Sequence, residues 1–262
     1  ELLMRAHPAS LGPKATFEQI LRAAAADFLA TPPEDALVRA EVASALAEPL
    51  YLIEDYDVVE RLLTPQVDSL GGVDLARARE LRTSIMVRLG YVASRMSRPR
   101  DAAERFSRAA EFAREAGSAR LEYQTSGALA QTYAAGGEYD RAIELLKRML
   151  ESEVAREDEM LRASALSNLG VAYGRKGAAA EGLPFAREGY EIRVRRAPKD
   201  PITHNTGWQL GISYMENGRL DDSVDVLERT YAAASEASGP DHSDVLAGVV
   251  LLNYARARRG DG

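Results

Sequence analysis

The amino-acid sequence predicts an all-α fold in which pairs of antiparallel helices repeat along the chain. Of its 262 residues, 46% are hydrophobic but only 6% are aromatic, and this composition favours helices packed through small side chains over a sheet sandwich. A second observation is a sequence repeat of about 41 residues, and such a period decides the architecture before any single motif does. The chain is long enough to bury a core as one large domain or two small ones.

The repeat is marked by a large apolar residue followed by a small one, which we call position 0. Position 0 recurs at intervals of 43, 40, 40 and 41 residues, at 47, 90, 130, 170 and 211. A small residue on a first helix lets a second helix approach closely, so each repeat is expected to be helix, turn, helix. The pairs are Leu46-Ala47, Leu89-Gly90, Leu129-Ala130, Leu169-Gly170 and Leu210-Gly211.

Four later positions follow position 0 at fixed distances. Position +3 is Leu50, Ala93, Tyr133, Tyr173 or Tyr214. Position +7 predicts the end of the first helix, where glycine adopts the left-handed conformation at little cost; it is Glu54, Ser97, Gly137, Gly177 or Gly218. The second helix contributes position +12 (Val59, Ala102, Ala142, Gly182, Ser223), whose mostly small residues should meet position 0 across the helix crossing, and position +16 (Leu63, Phe106, Leu146, Ala186, Leu227).

These positions predict one domain over residues 1–262, with an N-terminal extension at 1–33, five helix pairs and a last helix. The repeats are expected at about 34–73, 75–117, 118–156, 158–197 and 202–238. The predicted helices are 16–29, 34–53, 57–70, 75–95, 99–116, 120–135, 139–156, 158–176, 179–196, 202–217, 220–236 and 243–259. The last is either half of a sixth repeat or a cap over the open end.

Two features of the sequence depart from the pattern. Prolines at 49, 65 and 184 fall inside predicted helices, so helix ends are expected to be least accurate there. Gly182 and Ala186 are small where bulkier residues are common, which puts the packing of the fourth repeat's second helix in doubt.

The pattern resembles the tetratricopeptide repeat. The clearest unit reads Leu129-Ala130-x2-Tyr133-x3-Gly137-x-Tyr139-x2-Ala142-x3-Leu146. The usual repeat has about 34 residues, so these longer units resemble the extended form of kinesin light chains, and the segment 239–245 resembles its linker. The resemblance implies a right-handed α-α superhelix whose first helices line a concave groove.

A second resemblance lies at the N-terminus, in Leu3–Ala6, Leu11-Gly12, Leu21 and Val38–Glu41. These pieces resemble the segment that opens the repeat region of bacterial Ser/Thr kinases and winged-helix transcriptional regulators. The chain begins at Glu1 without an initiator methionine, and we expect a piece of such a protein, its sensory or partner-binding region. The cytoplasm is favoured as its compartment, and the periplasm fits if a membrane helix precedes it.

Composition and motifs exclude several classes of function. A net charge of −7 and no cysteine argue against nucleic-acid binding, disulfides, Cys-based metal sites and thiol nucleophiles. The longest apolar stretch, Leu246–Leu252, is too short to enter a membrane as a span. The histidines at 7, 204 and 242 lack metal-ligand spacing and are expected at exposed or capping positions, so no catalytic residue, metal or cofactor is predicted.

The predicted binding surface is the set of first-helix positions that face the groove. Arginines and amides there suit a carboxylate and an extended peptide backbone, although the paired lysines of chaperone-binding domains are missing. Trp208, the only tryptophan, lies at position −3 and either anchors a ligand in the groove or packs into the core. The candidate residues are Arg88, Tyr91, Arg95, Gln124, Gln131, Asn168, Arg175, Asn205, Trp208 and Gln209.

Three functions follow from the sequence. The first is a non-catalytic scaffold that binds a peptide or protein segment in the groove. The second is a homo-oligomerisation module, for example a homodimer, that uses the N-terminal helix or residues 245–252. The third, an enzyme, is a remote alternative because no motif supports one.

Overall fold

The computed structural model describes residues 15–260, and every regular element in that range is an α-helix. Parts of the predicted N-terminal resemblance, Leu3–Ala6 and Leu11-Gly12, lie outside the described residues, as does His7. None of the helices within 15–260 combines the length and the apolar character needed to cross a bilayer.

The chain divides into two compact units, Glu1–Thr132 and Tyr133–Gly262. The described helices of the first unit are α1 Phe17–Ala30, α2 Ala36–Leu52, α3 Tyr56–Gly71, α4 Ala76–Arg95, α5 Pro99–Glu115 and most of α6 Ala119–Ala135. Those of the second are α7 Tyr139–Glu151, α8 Glu153–Glu157, α9 Glu159–Lys176, α10 Ala179–Arg196, α11 Pro201–Glu216, α12 Leu220–Ser238 and α13 Ser243–Arg259. The prediction that all 262 residues form one domain remains a prediction.

Helix ends agree with the predicted ones to within two residues, except in the segment predicted as one helix over 139–156. That segment breaks at Ser152, whose extended backbone ends α7 and begins α8. The Ser152 hydroxyl accepts a hydrogen bond from the Ala155 N–H and so caps the new helix. The expectation that prolines would cause the largest errors is therefore wrong.

Position +7 ends the first helix in all five repeats with a positive φ. The values are 82°, 85° and 70° at Gly137, Gly177 and Gly218, and 61° and 57° at Glu54 and Ser97. The turn predicted from the sequence is thus confirmed even where glycine is absent. Glu54 and Ser97 hold a backbone conformation that costs an L-residue about 1–2 kcal/mol.

Position 0 allows the two helices of a repeat to approach closely. A Cβ atom on Gly90 would lie 2.8 Å from the Phe106 ring, and one on Gly211 would lie 2.4 Å from Leu227 Cδ2. Both neighbours are at position +16 of the second helix. Because glycine has no side chain, the large residue of the second helix can pack against the first helix at position 0.

The fourth repeat is closely packed, so the doubt about its second helix was wrong. A Cβ on Gly170 would lie 2.7 Å from Ala186 Cβ, and one on Gly182 would lie 2.8 Å from the Gly170 carbonyl oxygen. Because both helices present small residues, α9 and α10 meet nearly backbone to backbone.

The core of each unit lies between its paired helices. In the first unit, Phe28, Leu50, Leu63 and Ile85 are fully or almost fully buried among α1–α5. In the second, Trp208, Leu210, Leu227 and Leu252 form the buried cluster of α11–α13.

The last helix, α13, has the register of the first helix of a sixth repeat. It ends at Gly260, whose φ of 99° marks position +7, so Asn253 stands at position 0. Its buried residues are then at positions −8, −5, −1 and +2, and the same four positions are buried in α11. They are Val245, Gly248, Leu252 and Ala255 in α13, and Thr203, Thr206, Leu210 and Ser213 in α11.

Candidate functional site

One surface of the first unit gathers aromatic and charged residues from the first helices α2 and α4 and from the turn that leads from α2 into α3. We call it the Arg–Tyr cluster; its members are Glu48, Tyr51, Glu54, Tyr56, Arg88, Tyr91 and Arg95. Arg88, Tyr91 and Arg95 lie three and four residues apart on α4, so they share one face of that helix. Three of the predicted site residues are therefore brought together.

Both arginines of the cluster bridge to the preceding repeat. Arg88 Nη2 donates to Glu48 Oε2, and its guanidinium lies over the Tyr51 ring, 5.0 Å from the ring centroid. Arg95 Nε donates to the Tyr56 hydroxyl at 2.9 Å, and Nη2 donates to Glu54 Oε1 at 2.7 Å. Exposed ion pairs of this kind contribute only about 0–1 kcal/mol, so an incoming carboxylate can replace Glu48 or Glu54 at little cost.

Tyr91 is the exposed aromatic of the Arg–Tyr cluster. Its side chain is 45% exposed, although one edge contacts the Phe106 ring at a centroid distance of 5.1 Å. Partial burial raises the pKa of its phenol, the nearby Tyr51 raises it further, and Arg88 opposes both. The hydroxyl therefore stays protonated at neutral pH and can donate a hydrogen bond.

The remaining predicted residues lie on first helices but form no comparable cluster within their unit. Gln124 and Gln131 are exposed on α6, seven residues apart on one face. Arg175 is exposed near the end of α9 and has no ion pair with the residues between 15 and 260, whereas Asn168 and Gln209 are half-buried.

A cavity of about 190 Å³ lies between α11, the end of α12 and α13. We call it the α11–α13 cavity; the lining residues that matter here are His204, Asn205, Trp208, Ala234, His242 and Asp244. Two predicted site residues, Asn205 and Trp208, are thus brought together in the second unit.

Trp208 packs into the core, which was the second of its two predicted alternatives. Its side chain is 8% exposed, and a Cβ atom on Gly248 would lie 2.4 Å from its Cζ2 atom. Helix α13 covers the ring, which belongs to the same buried cluster as Val245 and Leu252. The expectation of an exposed aromatic anchor is therefore wrong, and only part of the ring borders the cavity.

The two histidines of the cavity have structural partners. His204 is buried, with Nε2 3.1 Å from the Pro198 carbonyl oxygen, so its predicted exposed or capping position is wrong. His242 is the N-cap of α13 and accepts a hydrogen bond from the Asp244 N–H at 3.3 Å, as predicted for a capping residue. Within residues 15–260, no three His, Asp or Glu side chains are grouped so that they could hold a metal ion.

Sequence reasoning missed Ala234, His242 and Asp244 as neighbours of Asn205. The missing signal was the register of α13, because His242 and Asp244 approach α11 only if α13 packs as a first helix. The turn at Gly260, seven residues after Asn253, could have supplied that register.

Comparison with known families and structures agrees with this architecture. Two models of the tetratricopeptide repeat match the sequence, one at residues 125–160 and one at 209–244. No curated protein matches the chain in sequence.

Three solved structures share the fold at low sequence identity. Putative kinesin light chain repeats from Podospora anserina have 20% identity and a TM-score of 0.60, over 70% of this chain and 87% of theirs. A signal transduction ATPase with numerous domains from Pyrococcus horikoshii, which carries a tetratricopeptide repeat sensor, has 16% identity and a TM-score of 0.70, over 100% of this chain and 39% of that protein.

The third is a Rap protein complexed with competence and sporulation factor, with 15% identity and a TM-score of 0.65, over 99% of this chain and 76% of that protein. These three structures show a shared fold. Three features of this chain agree with that fold: the repeat period, the left-handed turn at position +7 and the close approach of the paired helices at position 0. Residues 125–160 and 209–244 thus match the tetratricopeptide repeat family, and the chain has the fold of a tetratricopeptide repeat solenoid, similar to that of the kinesin light chain repeats.

Proposed function

We propose that this chain is a non-catalytic scaffold that binds a peptide or protein segment along the groove-facing side of its first helices. We also propose that it is the sensory or partner-recruiting part of a larger bacterial signalling or transcription-regulatory protein. The N-terminal resemblance supports that context, and so do the sensor in the ATPase and the Rap complex among the structures that share its fold.

The observation that carries the proposal is the Arg–Tyr cluster. Tyrosine and arginine are among the residue types that contribute most to binding at protein interfaces, and here they share one helix face with Tyr91 exposed. Arg88 and Arg95 are held in place by exposed carboxylates that a ligand can displace. Such a surface suits an acidic or carboxylate-bearing segment of a partner.

Selection from a displayed random-peptide library, followed by calorimetry with the selected peptide, tests the proposal. Arg88→Ala should weaken binding about tenfold, equivalent to about 1.4 kcal/mol, and Arg175→Ala should weaken it less. Arg79→Ala is the matched control, because Arg79 is an exposed arginine of the same helix that pairs with Asp74 outside the cluster.

The control should change the affinity less than about twofold, within the range of an exposed pair. All three variants should keep the circular dichroism of the parent. Failure to select any saturable peptide, or equal affinities of the parent and Arg88→Ala, contradicts the proposal.

A second candidate function, self-association, is favoured by the outer face of α13. Leu246, Val250 and Tyr254 are 51%, 70% and 56% exposed and lie four residues apart in one stripe. In an antiparallel pair of α13 helices centred on Val250, Leu246 of one copy would contact Tyr254 of the other. The acidic start of one helix would then lie near the basic end of the other.

Sedimentation velocity at high protein concentration tests this candidate. A dimer that Val250→Asp converts to a monomer supports it, with the exposed Val194→Asp on α10 as a matched control. A parent chain that stays monomeric contradicts it.

A further inference from the structure

The fourth and fifth repeats differ at position +23 of the second helix. In the first, second and fifth repeats this position holds a buried apolar residue, Leu70, Ala113 or Ala234. In the fourth repeat it holds Arg193, which is only 5% exposed. A charged side chain therefore fills core space between one repeat and the next.

Arg193 reaches from the second helix α10 to the first helix α9. Its Nη2 donates to Ser164 Oγ at 2.7 Å, and Ser164 stands at position −6, on the groove-facing side of α9. Its Nε is buried without a hydrogen-bond partner. Burial lowers the pKa of the guanidinium, and the only charge that opposes this is Asp200, the N-cap of the next first helix.

The α11–α13 cavity is the same place one repeat later. Ala234 stands at position +23 on its wall, and Asn205 at position −6 corresponds to Ser164. His242, the N-cap of α13, stands where Asp200, the N-cap of α11, stands, and Asp244 lies two residues later. The cavity wall therefore has a counterpart of Ser164 in Asn205, an additional carboxylate in Asp244, and alanine in place of the arginine.

The size of the cavity matches the missing side chain. Its volume of 190 Å³ is that of roughly six water molecules at about 30 Å³ each. An arginine side chain has six non-hydrogen atoms beyond Cβ, so one such side chain fills the space without expansion.

We propose that the α11–α13 cavity binds the side chain of an arginine supplied by a peptide ligand, in the place that Arg193 fills in the preceding repeat. The aliphatic part of that side chain lies against Trp208 and Ala234, and the guanidinium donates to Asn205 Oδ1 and the Asp244 carboxylate. This inference rests on the proposed function, because it adds a residue of the bound segment to the scaffold's binding surface.

Charge favours this ligand over a neutral one. Arg193 is accommodated with one neutral hydroxyl as its hydrogen-bond partner, whereas the cavity offers a carboxylate that is 78% exposed as well. A charge-assisted hydrogen bond is about twice as strong as a neutral one, so an arginine is better compensated in the cavity than Arg193 is in the core.

Trp208 supplies the readout, since it is the only tryptophan and borders the cavity. The probes are three tripeptide amides, acetyl-Gly-X-Gly with X as arginine, lysine or citrulline, titrated into the whole chain while Trp208 fluorescence is followed. We expect a saturable change with arginine and an affinity about tenfold weaker with the uncharged citrulline.

Three variants sharpen the result. Asp244→Asn should weaken arginine binding about fivefold, whereas the matched control Asp241→Asn, in the same exposed linker but outside the cavity wall, should not. Ala234→Arg should abolish the response by filling the cavity from within. If Ala234→Arg fails to fold, the substitution Asp244→Asn at an exposed residue still tests whether the cavity binds arginine.

Equal affinities for arginine and citrulline, or no effect of Asp244→Asn, overturn the proposal. Equal affinities for arginine and lysine overturn the assignment to arginine in favour of a site for any cationic side chain. If these results are negative while Arg88→Ala still weakens a selected peptide, the cavity proposal alone fails. If no peptide is selected at all, the proposed function fails.

Discussion

The fourth and fifth repeats both bring their two helices close together, but they do so with different residues. Both have glycine at position 0, but α10 meets it with Ala186 and α12 meets it with Leu227. At position −3 the fourth repeat has the half-buried Ser167 and the fifth has the buried Trp208. At position +23 the pair is Arg193, which is buried, and Ala234, which lines the α11–α13 cavity.

This comparison teaches that the repeat pattern constrains the helix crossing and leaves the space between successive repeats free to vary. Positions 0, +7, +12 and +16 control the crossing and the turn within a repeat. In the fifth repeat positions −6, −3 and +23 line the cavity beside α13, so the residues there decide whether that space is filled or open.

The largest expected effect is that of a substitution at position −3, where the fourth and fifth repeats have different residues. Trp208→Ala should lower the free energy of unfolding by about 3–5 kcal/mol, because the ring packs against Gly248 and its loss leaves a cavity. Ser167→Ala should cost less than about 1 kcal/mol, since it removes one hydroxyl that bonds within its own helix. Urea unfolding measures both, and equal losses would contradict the buried position of Trp208.

The second prediction concerns position 0. Gly170→Ala should destabilise the chain by about 2–3 kcal/mol, because its Cβ would meet backbone atoms of Ala186 at 3.1 Å that cannot move away. Gly211→Ala should cost about 1 kcal/mol, since the Leu227 side chain can rotate and alanine favours the helix. Thermal unfolding of the two variants compares them, and a larger loss in Gly211→Ala would show that α12 is the more rigid neighbour.

The third prediction concerns position +23. Arg193→Met should raise the free energy of unfolding by about 1 kcal/mol, because an apolar side chain of similar length removes a buried charge that has no ion-pair partner. Ala234→Met, which extends into the α11–α13 cavity, should raise it by a similar or smaller amount. Destabilisation by Arg193→Met would mean that its bond to Ser164 outweighs the burial of its charge.

The smallest expected effect concerns position +7. Ser97→Gly should stabilise the chain by less than about 1 kcal/mol, since glycine relieves the positive φ of 57° but gains more freedom in the unfolded chain. Gly177→Ala should destabilise it by about 1 kcal/mol at the corresponding turn of the fourth repeat. Chemical denaturation should show a higher free energy of unfolding for Ser97→Gly and a lower one for Gly177→Ala.

The sequence was sufficient for features that depend on residues close in the chain. The turn at position +7 and the contact between positions 0 and +12 follow from local spacing, and the second is present where the Ser223 hydroxyl donates to the Gly211 carbonyl oxygen at 2.8 Å. The break at Ser152 could not be separated from a longer helix, because serine is tolerated inside a helix as well as at its start.

Features that depend on the following repeat could not be predicted. The one-residue offset of Trp208 predicted a ring directed toward the groove, whereas the ring packs against Gly248 of the neighbouring helix, a contact that required the register of α13. The burial of Arg193 could not be predicted, because position +23 is not part of the repeat pattern and a charged side chain on a helix is usually exposed to solvent. Arg88, Tyr91 and Arg95 were placed on one helix face from the sequence, whereas their bonds to Glu48, Tyr56 and Glu54 required the structure.

The central claim is that the groove-facing side of the first helices binds a peptide segment, with the Arg–Tyr cluster as its main contact. Amide hydrogen exchange with and without a library-selected peptide tests it most directly, because protection is read along the whole chain. The account predicts slower exchange in α2 and α4, in the segments that carry Tyr51 and Tyr91, and loss of that protection in Arg88→Ala. Protection confined to the second helices α3 and α5, or unchanged exchange in α4, would contradict it.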